Sequence, residues 1–453
     1  MENPLFRNLR FTVLPALCVQ LLSACASYGT ISNQPITDVE PSARYAINHA
    51  VDSGRSNEVT LVLAFSGGGT RAAALAYGVL EAMRDTTVNL DGESQRLLDE
   101  IDVISSVSGG SFTAAYYGLH GDKTFTDFEK DFLRSDVSGE LMYGLVDPEL
   151  WVSTGGRTEM AIDYYEEKVF RGATYADLQR REGPLLVINA TDLGRGVRFS
   201  FLQDYFDLLC SDLSSFQVAR AVAASSAVPL LFHPVVLKNH TGCNGSEQTV
   251  FEGTSPAATR SPQLSHVVDG LNSYALKDQR QYIHLVDGGI TDNLGLLAIY
   301  EMVEMAGGAK SFLDSIGAVP APRIIMISVN ASTTPQYDIE LTNANPSVED
   351  TINLVTDAQL HRTNVATIEL MHNSIRRWSS ELSTPEQVVD SYFVKIDFNR
   401  LPQAERRLYF NQIPTNYSLT EEQVDDLIAA GRELLVNNTE FQRFIKDLGK
   451  DQQ

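Results

Sequence analysis

The sequence predicts an α/β fold in which helices cover both faces of a mainly parallel sheet. Three apolar runs, over residues 59–65, 101–107 and 184–190, have the length and composition of buried strands. Helix-compatible stretches over 70–84 and 110–119 follow the first two runs. Strands that alternate with helices build βαβ units, so this order predicts parallel strands with helices packed on the sheet.

Further elements follow downstream. Residues 189–201 carry a glycine-rich turn between two strand-like runs, which predicts an edge hairpin. Residues 282–286 and 323–329 are two more apolar runs typical of buried strands. Residues 350–378 have helical periodicity and predict one long helix or a broken helix pair.

The C-terminal part, from about residue 340, is expected to form a helical extension of the domain. The run Ser418-Leu419-Thr420-Glu421 has the pattern of a capping box at a helix start. It is followed by an amphipathic stripe from Val424 to Leu435. We expect this last helix to pack on the domain.

Composition limits the classes of partner. The chain has 453 residues, 43% of them hydrophobic, which is enough to bury the core of one large domain. Its net charge is −23, and it contains no basic cluster longer than the pair Arg376-Arg377. Binding to nucleic acid or electrostatic binding to anionic lipid needs such clusters, so we expect neither.

Three glycine-rich turns each follow a strand-like run. The first holds Gly67, Gly68 and Gly69, and three glycines at a helix N-terminus leave amides free to bind negative charge. The second is Ser106-Val107-Ser108-Gly109-Gly110, and the third is Asp287-Gly288-Gly289. Because the C-terminal ends of parallel strands meet at one sheet edge, we expect these turns to lie together.

Ser108 is the candidate nucleophile. A sharp strand-to-helix turn exposes one side chain, and small neighbours let the backbone turn tightly. The usual elbow pattern is G-x-S-x-G, and Ser106 stands at its first glycine. Taken alone, this stretch favours an ordinary Ser/Gly-rich loop between a strand and a helix over a nucleophile turn.

The three turns in this order resemble the patatin-like phospholipases. That family has a glycine-rich oxyanion loop, a G-x-S-x-G serine and a D-G-A/G aspartate. The run Ala224-Ser225-Ser226-Ala227-Val228-Pro229 also resembles the family's ASxAxP segment. The resemblance covers about residues 58–300 and implies a three-layer α/β/α fold with a mainly parallel central sheet.

The resemblance implies a serine ester hydrolase that cleaves a carboxylic ester of a membrane lipid or lysolipid through an acyl-serine intermediate. It implies a dyad of Ser108 and Asp287, without histidine. The amides of Gly67, Gly68 and Gly69 would form the oxyanion hole. Supporting roles fall to five residues: Arg71, Gly109, Gly110, Gly288 and Gly289. The family loop often has glycine where this chain has Ala72.

The residues alone leave other assignments open. His266 and His372 remain alternative bases, whereas His284, inside the strand before Asp287, is expected to be a core residue. Asp269 and Asp292 are rivals of Asp287 for the role of the acidic member. A catalytically silent scaffold lipoprotein and an acyltransferase are the alternative functions.

Two regions carry further expectations. Residues 238–266 lack either periodicity and are a candidate lid. Most of the aromatic residues between 145 and 181 are expected in the core, namely Trp151, Tyr164, Tyr165, Phe170 and Tyr175. The chain shows no His-x-x-x-His or Cys-x-x-Cys spacing, so we expect no metal and no cofactor.

The N-terminal segment predicts that the protein is located in the cell envelope. Residues 1–24 have the basic start and short apolar core of a signal peptide, and Leu22-Ser23-Ala24-Cys25 looks like a bacterial lipobox. That resemblance implies lipidation of Cys25, and Ala26 after it implies the outer membrane. We expect residues 25–56 to be a tether, 57–453 to be the domain, and Cys210 and Cys243 to form a disulfide in this oxidising compartment.

Overall fold

The computed structural model describes residues 29–36, 44–50, 55–137, 139, 156–181, 183–229, 231–243, 261–334 and 338–449. Within these residues the strands are β1 Gln34–Pro35, β2 Val59–Phe65, β3 Thr87–Leu90, β4 Glu93–Arg96, β5 Ile101–Val107, β6 Leu185–Asp192, β7 Val197–Ser200, β8 Ser211–Asp212, β9 Val235–Lys238, β10 Tyr282–Asp287, β11 Arg323–Asn330 and β12 Asp390–Asp397. The α-helices are α1 Gly69–Arg84, α2 Gly109–His120, α3 Thr124–Phe128, α4 Gly156–Tyr164, α5 Tyr175–Gln179, α6 Gln203–Leu208, α7 Val218–Ser225, α8 Pro262–Asn272, α9 Gly289–Asp292, α10 Leu296–Met305, α11 Ala309–Ile316, α12 Val348–Leu382, α13 Ala404–Gln412, α14 Glu421–Val436 and α15 Thr439–Leu448.

The central sheet has eight strands among the described residues, in the order β12-β11-β2-β5-β6-β10-β9, with β7 paired to β6. The first five strands in that order run parallel to one another. Most of their side chains are buried, as expected for strands covered on both faces, and the edge strand β12 is the least buried. The predicted α/β fold with a mainly parallel sheet between helices is confirmed.

The strand order places helices on the two faces. The sheet grows in one direction from β2 through β5 to β6, and right-handed crossovers therefore put α1 and α2 on the same face. The step from β11 to β12 runs the other way, so α12 lies on the opposite face. α14 packs against α1, where Arg432 donates to Glu81 (3.2 Å) and Asp85 (2.7 Å).

One prediction about strand direction is wrong. β10 runs antiparallel to β6, so its C-terminal end does not lie at the sheet edge as the end of a parallel strand. Asp287 instead pairs with Ala190, next to the residue Asn189 that pairs with Val107. The register of this antiparallel pair therefore brings the Asp287 turn level with the Ser108 turn.

The predicted hairpin over 189–201 forms, but it is not at an edge. β7 pairs antiparallel with the last four residues of β6. β6 itself lies inside the sheet, between β5 and β10. The hairpin arises because β6 extends beyond the end of β5 and leaves part of its own edge for β7 to pair with.

The helical region is more continuous than predicted. Residues 348–382 form one helix, α12, which begins with a capping box between Ser347 and Asp350. Its last turns are buried through Met371, Ile375, Trp378 and Leu382, whereas Val355 near its start is 56% exposed.

The capping box of α14 differs from the predicted one. The first helical residue is Glu421, so the cap is Thr420 and its partner is Gln423, rather than Ser418 and Glu421. The hydroxyl of Ser418 donates to Asp136 instead, at 2.6 Å. The predicted apolar stripe is buried at Val424, Leu427, Leu434 and Leu435.

Near the N-terminus, β1 pairs with β8, and the Asn33 side chain donates to Ser211 Oγ (2.7 Å) and to the Lys238 carbonyl (2.8 Å). The sulfur atoms of Cys210 and Cys243 are 2.09 Å apart, as a disulfide. The predicted signal peptide, Cys25 and Trp151 lie outside the described residues.

Two other expectations can be compared with the structure. Tyr165, Phe170 and Tyr175 are core residues. Residues 244–260 of the candidate lid lie outside the described residues, but residues from Pro262 onward form α8, so this end of the segment is helical rather than aperiodic. No helix within the described ranges is long and apolar enough to cross a membrane.

Candidate active site

Ser108 lies at the turn between β5 and α2 and has an unusual backbone conformation. Its φ is 49° and its ψ is −122°, in a region that residues other than glycine rarely adopt. Such strain persists where the surrounding structure enforces it, and it is common at catalytic turns. The Ser108 amide donates to Ser225 Oγ at 2.9 Å, which helps to hold the turn.

Ser106 does not prevent the sharp turn. It is the sixth residue of β5 and pairs with Phe65 on one side and Ile188 on the other. Its hydroxyl is buried and accepts a hydrogen bond from Ser111 Oγ at 3.2 Å. A serine therefore fits at this position, because its buried side-chain hydroxyl has a hydrogen-bond partner.

The glycine loop after β2 turns through two left-handed residues. Gly68 and Gly69 have φ values of 138° and 61°, which a side chain would strain. In the described residues, no acceptor is hydrogen-bonded to the amides of Gly68, Gly69 or Gly109. These amides lie at the N-termini of α1 and α2, where negative charge is stabilised.

Gly67 departs from the sequence prediction. Its amide donates to the Asn293 carbonyl at 3.0 Å and is therefore not available to an oxyanion. Its Cα instead faces the dyad, since an added Cβ would lie 3.3 Å from Ser108 Cβ. Among the described glycines of the first two turns, the amides of Gly68, Gly69 and Gly109 have no hydrogen-bond acceptor.

Glycines 109 and 110 hold the two turns together. A Cβ on Gly109 would collide with the Gly69 carbonyl oxygen, and one on Gly110 would lie 2.7 Å from Phe65 Cβ. The Gly110 amide donates to the Ser66 carbonyl at 3.2 Å. The absence of side chains thus allows the serine turn to pack directly on the glycine loop.

Arg71 is buried and is not a surface cation. Its guanidinium donates to the Ala331 carbonyl (2.8 Å), the Ile413 carbonyl (2.5 Å) and Thr415 Oγ1 (2.9 Å). Burial lowers the pKa of Arg71 to about 10, so it remains charged at neutral pH. The side chain joins the glycine loop to the end of β11 and to residues 413–415.

Asp287 lies beside Ser108. Its carboxylate accepts a hydrogen bond from the Gly289 amide at 2.7 Å and lies next to the Ser108 hydroxyl. Burial raises the pKa of Asp287 to about 6, and the Gly289 amide and the Ser108 hydroxyl oppose that rise. Gly288 lets the aspartate turn pack closely against β6, since a Cβ there would collide with the Asn189 carbonyl oxygen.

Residues 225–227 connect the serine turn to the aspartate turn. The Asp287 amide donates to the Ala227 carbonyl (2.9 Å), and the Gly288 amide donates to the Ser225 carbonyl (3.1 Å). Ser225 Oγ accepts from the Ser108 amide and donates to the Asn189 carbonyl at 2.6 Å. This part of the ASxAxP-like segment thus positions both members of the predicted dyad.

The rivals of Asp287 lie elsewhere. Asp269 is exposed on α8, and Asp292 is buried with its carboxylate accepting from the Ala298 amide at 3.1 Å. Among histidines whose side chains the structure describes, none hydrogen bonds to Ser108 or Asp287. His284 is exposed, so its assignment to the core is wrong: its side chain alternates with the buried Ile283 and Leu285 on β10.

Sequence reasoning missed Tyr417, which reaches the dyad from the C-terminal region. Its hydroxyl lies beside Ser108 and donates to the Ser226 carbonyl at 3.1 Å. Residues 411–417 have neither helical nor strand periodicity, so the local pattern carries no signal for it. Asn189, whose carbonyl accepts from Ser225, was likewise predicted only as part of a strand.

The site is nearly closed in this structure. Ser108 is 5% exposed and Asp287 is 8% exposed. Two cavities of about 400 Å³ and 300 Å³ are lined by other residues, the first beside His284 and the second at the opposite end of the strands, near Val59 and Val103. Within the described part of the chain, no cluster of His, Cys, Asp and Glu could hold a metal ion.

The family profile of the patatin-like phospholipases matches residues 63–300, which include the glycine loop, Ser108 and Asp287. This chain belongs to the patatin-like phospholipase family. Membership supports lipid hydrolase activity at the coarse level of the family. Tyr417 and residues 413–415, which contact this site, lie outside the matched range.

Solved structures with similar folds were also found. Human GIVD cytosolic phospholipase A2 is 13% identical, with 92% of this chain and 68% of that chain covered and a TM-score of 0.42. VipD from Legionella pneumophila is 13% identical, with 94% and 72% covered and a TM-score of 0.31. ExoU in the ExoU-SpcU complex of Pseudomonas aeruginosa is 16% identical, with 90% and 82% covered and a TM-score of 0.23. TM-scores this low carry no argument about this chain, and no protein with a curated function matches it.

Proposed function

We propose that this patatin-like phospholipase is a serine acyl hydrolase that cleaves carboxylic esters of membrane lipids or lysolipids with a Ser108–Asp287 dyad. The observation that carries the proposal is the strained Ser108 turn with the buried Asp287 carboxylate beside its hydroxyl. The unbonded amides of Gly68, Gly69 and Gly109 are the donors that an ester oxyanion needs. A strained serine, a buried carboxylate and unbonded amides are the three parts that nucleophilic acyl transfer needs, and their proximity supports the proposal.

In the acylation step, Ser108 Oγ attacks the ester carbonyl carbon while its proton passes to Asp287. A pKa of about 6 suits this role, because the carboxylate is ionised at neutral pH yet more basic than an ordinary aspartate. The carbonyl oxygen becomes an oxyanion between the N-termini of α1 and α2. Collapse of the intermediate breaks the ester bond, and the leaving alcohol oxygen takes the proton from Asp287.

In the deacylation step, a water molecule replaces the alcohol. Asp287 accepts a proton from the water as its oxygen attacks the acyl carbon. The same amides stabilise the second oxyanion, and its collapse releases the carboxylic acid and returns the proton to Ser108. No metal or cofactor is needed in this sequence of steps.

A chromogenic short-chain ester and a fluorophosphonate probe test this proposal on the mature domain. We expect hydrolysis of the ester and labelling of the peptide that contains Ser108, with both lost in Ser108→Ala. A folded wild-type protein with neither activity would contradict the proposal and favour a silent scaffold. If the label were found on Ser66, Ser106 or Ser111 instead, that serine would be the nucleophile and the assignment of Ser108 would be wrong.

The lipobox-like run before Cys25 supports a proposal of location, namely a lipid anchor in a bacterial envelope, facing the periplasm from the outer membrane. The anchor would keep the domain beside its substrate. Intact-mass analysis of the mature protein should find an acylated Cys25, and Cys25→Ser should release the protein from membranes. An unmodified N-terminus at another residue would contradict the anchor.

A further inference from the structure

Residues 413–417 cross over the glycine loop. The Asn416 carbonyl accepts from the Thr70 amide at 2.9 Å, and Arg71 donates to Ile413 and Thr415. A Cβ on Gly69 would collide with the Asn416 carbonyl oxygen, which shows how closely the two segments pack. These contacts hold the next residue, Tyr417, beside Ser108 and Asp287.

The Tyr417 hydroxyl lies between two oxygen atoms that can accept its proton. It donates to the Ser226 carbonyl at 3.1 Å and lies beside the Ser108 hydroxyl. Its ring packs edge-on against Phe112 and Phe232, with both centroid distances at 6.2 Å. Both the position of the ring and that of the hydroxyl are therefore held by neighbours.

We infer that Tyr417 is a further catalytic residue, whose hydroxyl donates to Ser108 Oγ as negative charge develops on that atom. The inference rests on the proposed function, since it needs Ser108 to be the nucleophile. It brings into the site a residue that lies more than a hundred positions beyond the end of the family match at residue 300.

The proton movements balance without an added reactant. In the resting state the phenolic proton is directed to the Ser226 carbonyl. When Asp287 takes the proton of Ser108, Oγ becomes the stronger acceptor, and the Tyr417 hydroxyl rotates toward it. The phenol keeps its own proton throughout, so it stabilises charge and does not act as a base.

The electrostatic surroundings agree with this role. Burial and the neighbouring Asp287 carboxylate raise the pKa of Tyr417, so the phenol stays protonated at neutral pH. A hydrogen bond to a charged partner is stronger than one to a neutral partner. The same donor is therefore more stabilising in the transition state than in the resting enzyme, which is the condition for catalysis.

The test compares Tyr417→Phe with the wild type in two assays, ester hydrolysis and the rate of fluorophosphonate labelling. Phenylalanine keeps the ring between Phe112 and Phe232 and removes only the hydroxyl. We expect both kcat and the labelling rate to fall about 10- to 100-fold, the range for a lost bond to a developing charge, with KM nearly unchanged. Tyr417→Leu should also raise KM, because the aromatic wall is lost.

Tyr392→Phe is the matched control. Tyr392 lies in β12, far from the dyad in the sheet order, and its buried side chain donates to Asp447 at 3.0 Å. Both variants lose one phenolic hydrogen bond and should lose similar thermal stability, but only Tyr417→Phe should react slowly.

The outcomes separate the two proposals. Wild-type protein that is labelled at Ser108, together with Tyr417→Phe that is labelled at the wild-type rate, overturns the inference and leaves the proposed function intact. Wild-type protein that resists labelling and hydrolysis overturns both. Tyr417→Phe with a raised KM and an unchanged kcat also overturns the inference, because the hydroxyl would then act in binding alone.

Discussion

The two turns that carry the dyad are positioned in different ways. The Ser108 turn ends a parallel strand and leads directly into a helix, as the sequence around it predicts. The Asp287 turn ends an antiparallel strand and lies level with Ser108 only through its register with β6. The serine is thus positioned mainly by the turn between its own strand and helix, whereas the aspartate depends on the register of a neighbouring strand. Residues 225–227 hydrogen bond to both turns.

The two turns should therefore be sensitive to substitutions at different places in the chain. The Ser108 turn depends on small residues, because Gly109 and Gly110 pack directly on the glycine loop. The Asp287 turn depends on hydrogen bonds from its amides to Ser225 and Ala227. Local substitutions should therefore disturb the serine, and more distant ones should disturb the aspartate.

The largest expected effect comes from the dyad itself. Ser108→Ala and Asp287→Asn should each lower kcat by about 10³-fold or more, because residues that act as one unit fail together. The double variant should be little slower than Ser108→Ala. Steady-state kinetics on folded variants checks this, and additive losses in the double variant would show that the two turns act independently.

Ser225→Ala should have the next largest effect, because Ser225 joins the two turns. Its hydroxyl accepts from Ser108 and donates to Asn189. Loss of these buried bonds should cost about 1–3 kcal/mol of stability and lower kcat by about 10-fold. Thr113→Val is the control, since it loses a buried bond of 2.9 Å to the Ala73 carbonyl away from the dyad. Equal activity in both variants would contradict the joining role.

The pH dependence should report the burial of Asp287. Its pKa is raised to about 6, so kcat/KM should fall by about tenfold per pH unit below that value as the base becomes protonated. A pKa that is raised in the folded state means that the charged carboxylate destabilises the fold above pH 6. Asp287→Asn should therefore raise the Tm at pH 7 but not at pH 4, whereas Asp269→Asn on the surface should change neither. A flat rate profile down to pH 5 would exclude Asp287 as the base.

The smallest expected effect is that of the histidines. Substitution of His233, His266, His284 or His372 by asparagine, one at a time, should leave kcat within about twofold, because none of these side chains hydrogen bonds to the dyad. Ester hydrolysis by each purified variant is the measurement. An inactive but folded histidine variant, combined with an active Asp287→Asn, would replace the dyad with a conventional triad.

The Ser108 turn could be predicted from the sequence, whereas the position of the Asp287 turn could not. An apolar run followed by serine and glycines predicts a strand and a sharp turn, since both depend on neighbouring residues. The direction of β10 could not be read in this way, because an apolar run predicts a strand of either orientation. Three consecutive glycines at a helix start predict three free amides, but the Gly67 amide donates to the carbonyl of Asn293, which is distant in sequence.

The sequence by itself determined the α/β class and the order of the glycine turns, because both follow from patterns over neighbouring residues. The two candidate dyad residues came from the resemblance of those turns to the patatin-like phospholipases. Only the tertiary structure decided which amides are free, which strand register brings Asp287 next to Ser108, and that Tyr417 lies beside the nucleophile. Those features depend on strand register and on a segment that returns to the site from more than three hundred residues after Ser108. No local pattern encodes such a return, because the hydrogen bonds that stabilise it join residues far apart in the chain.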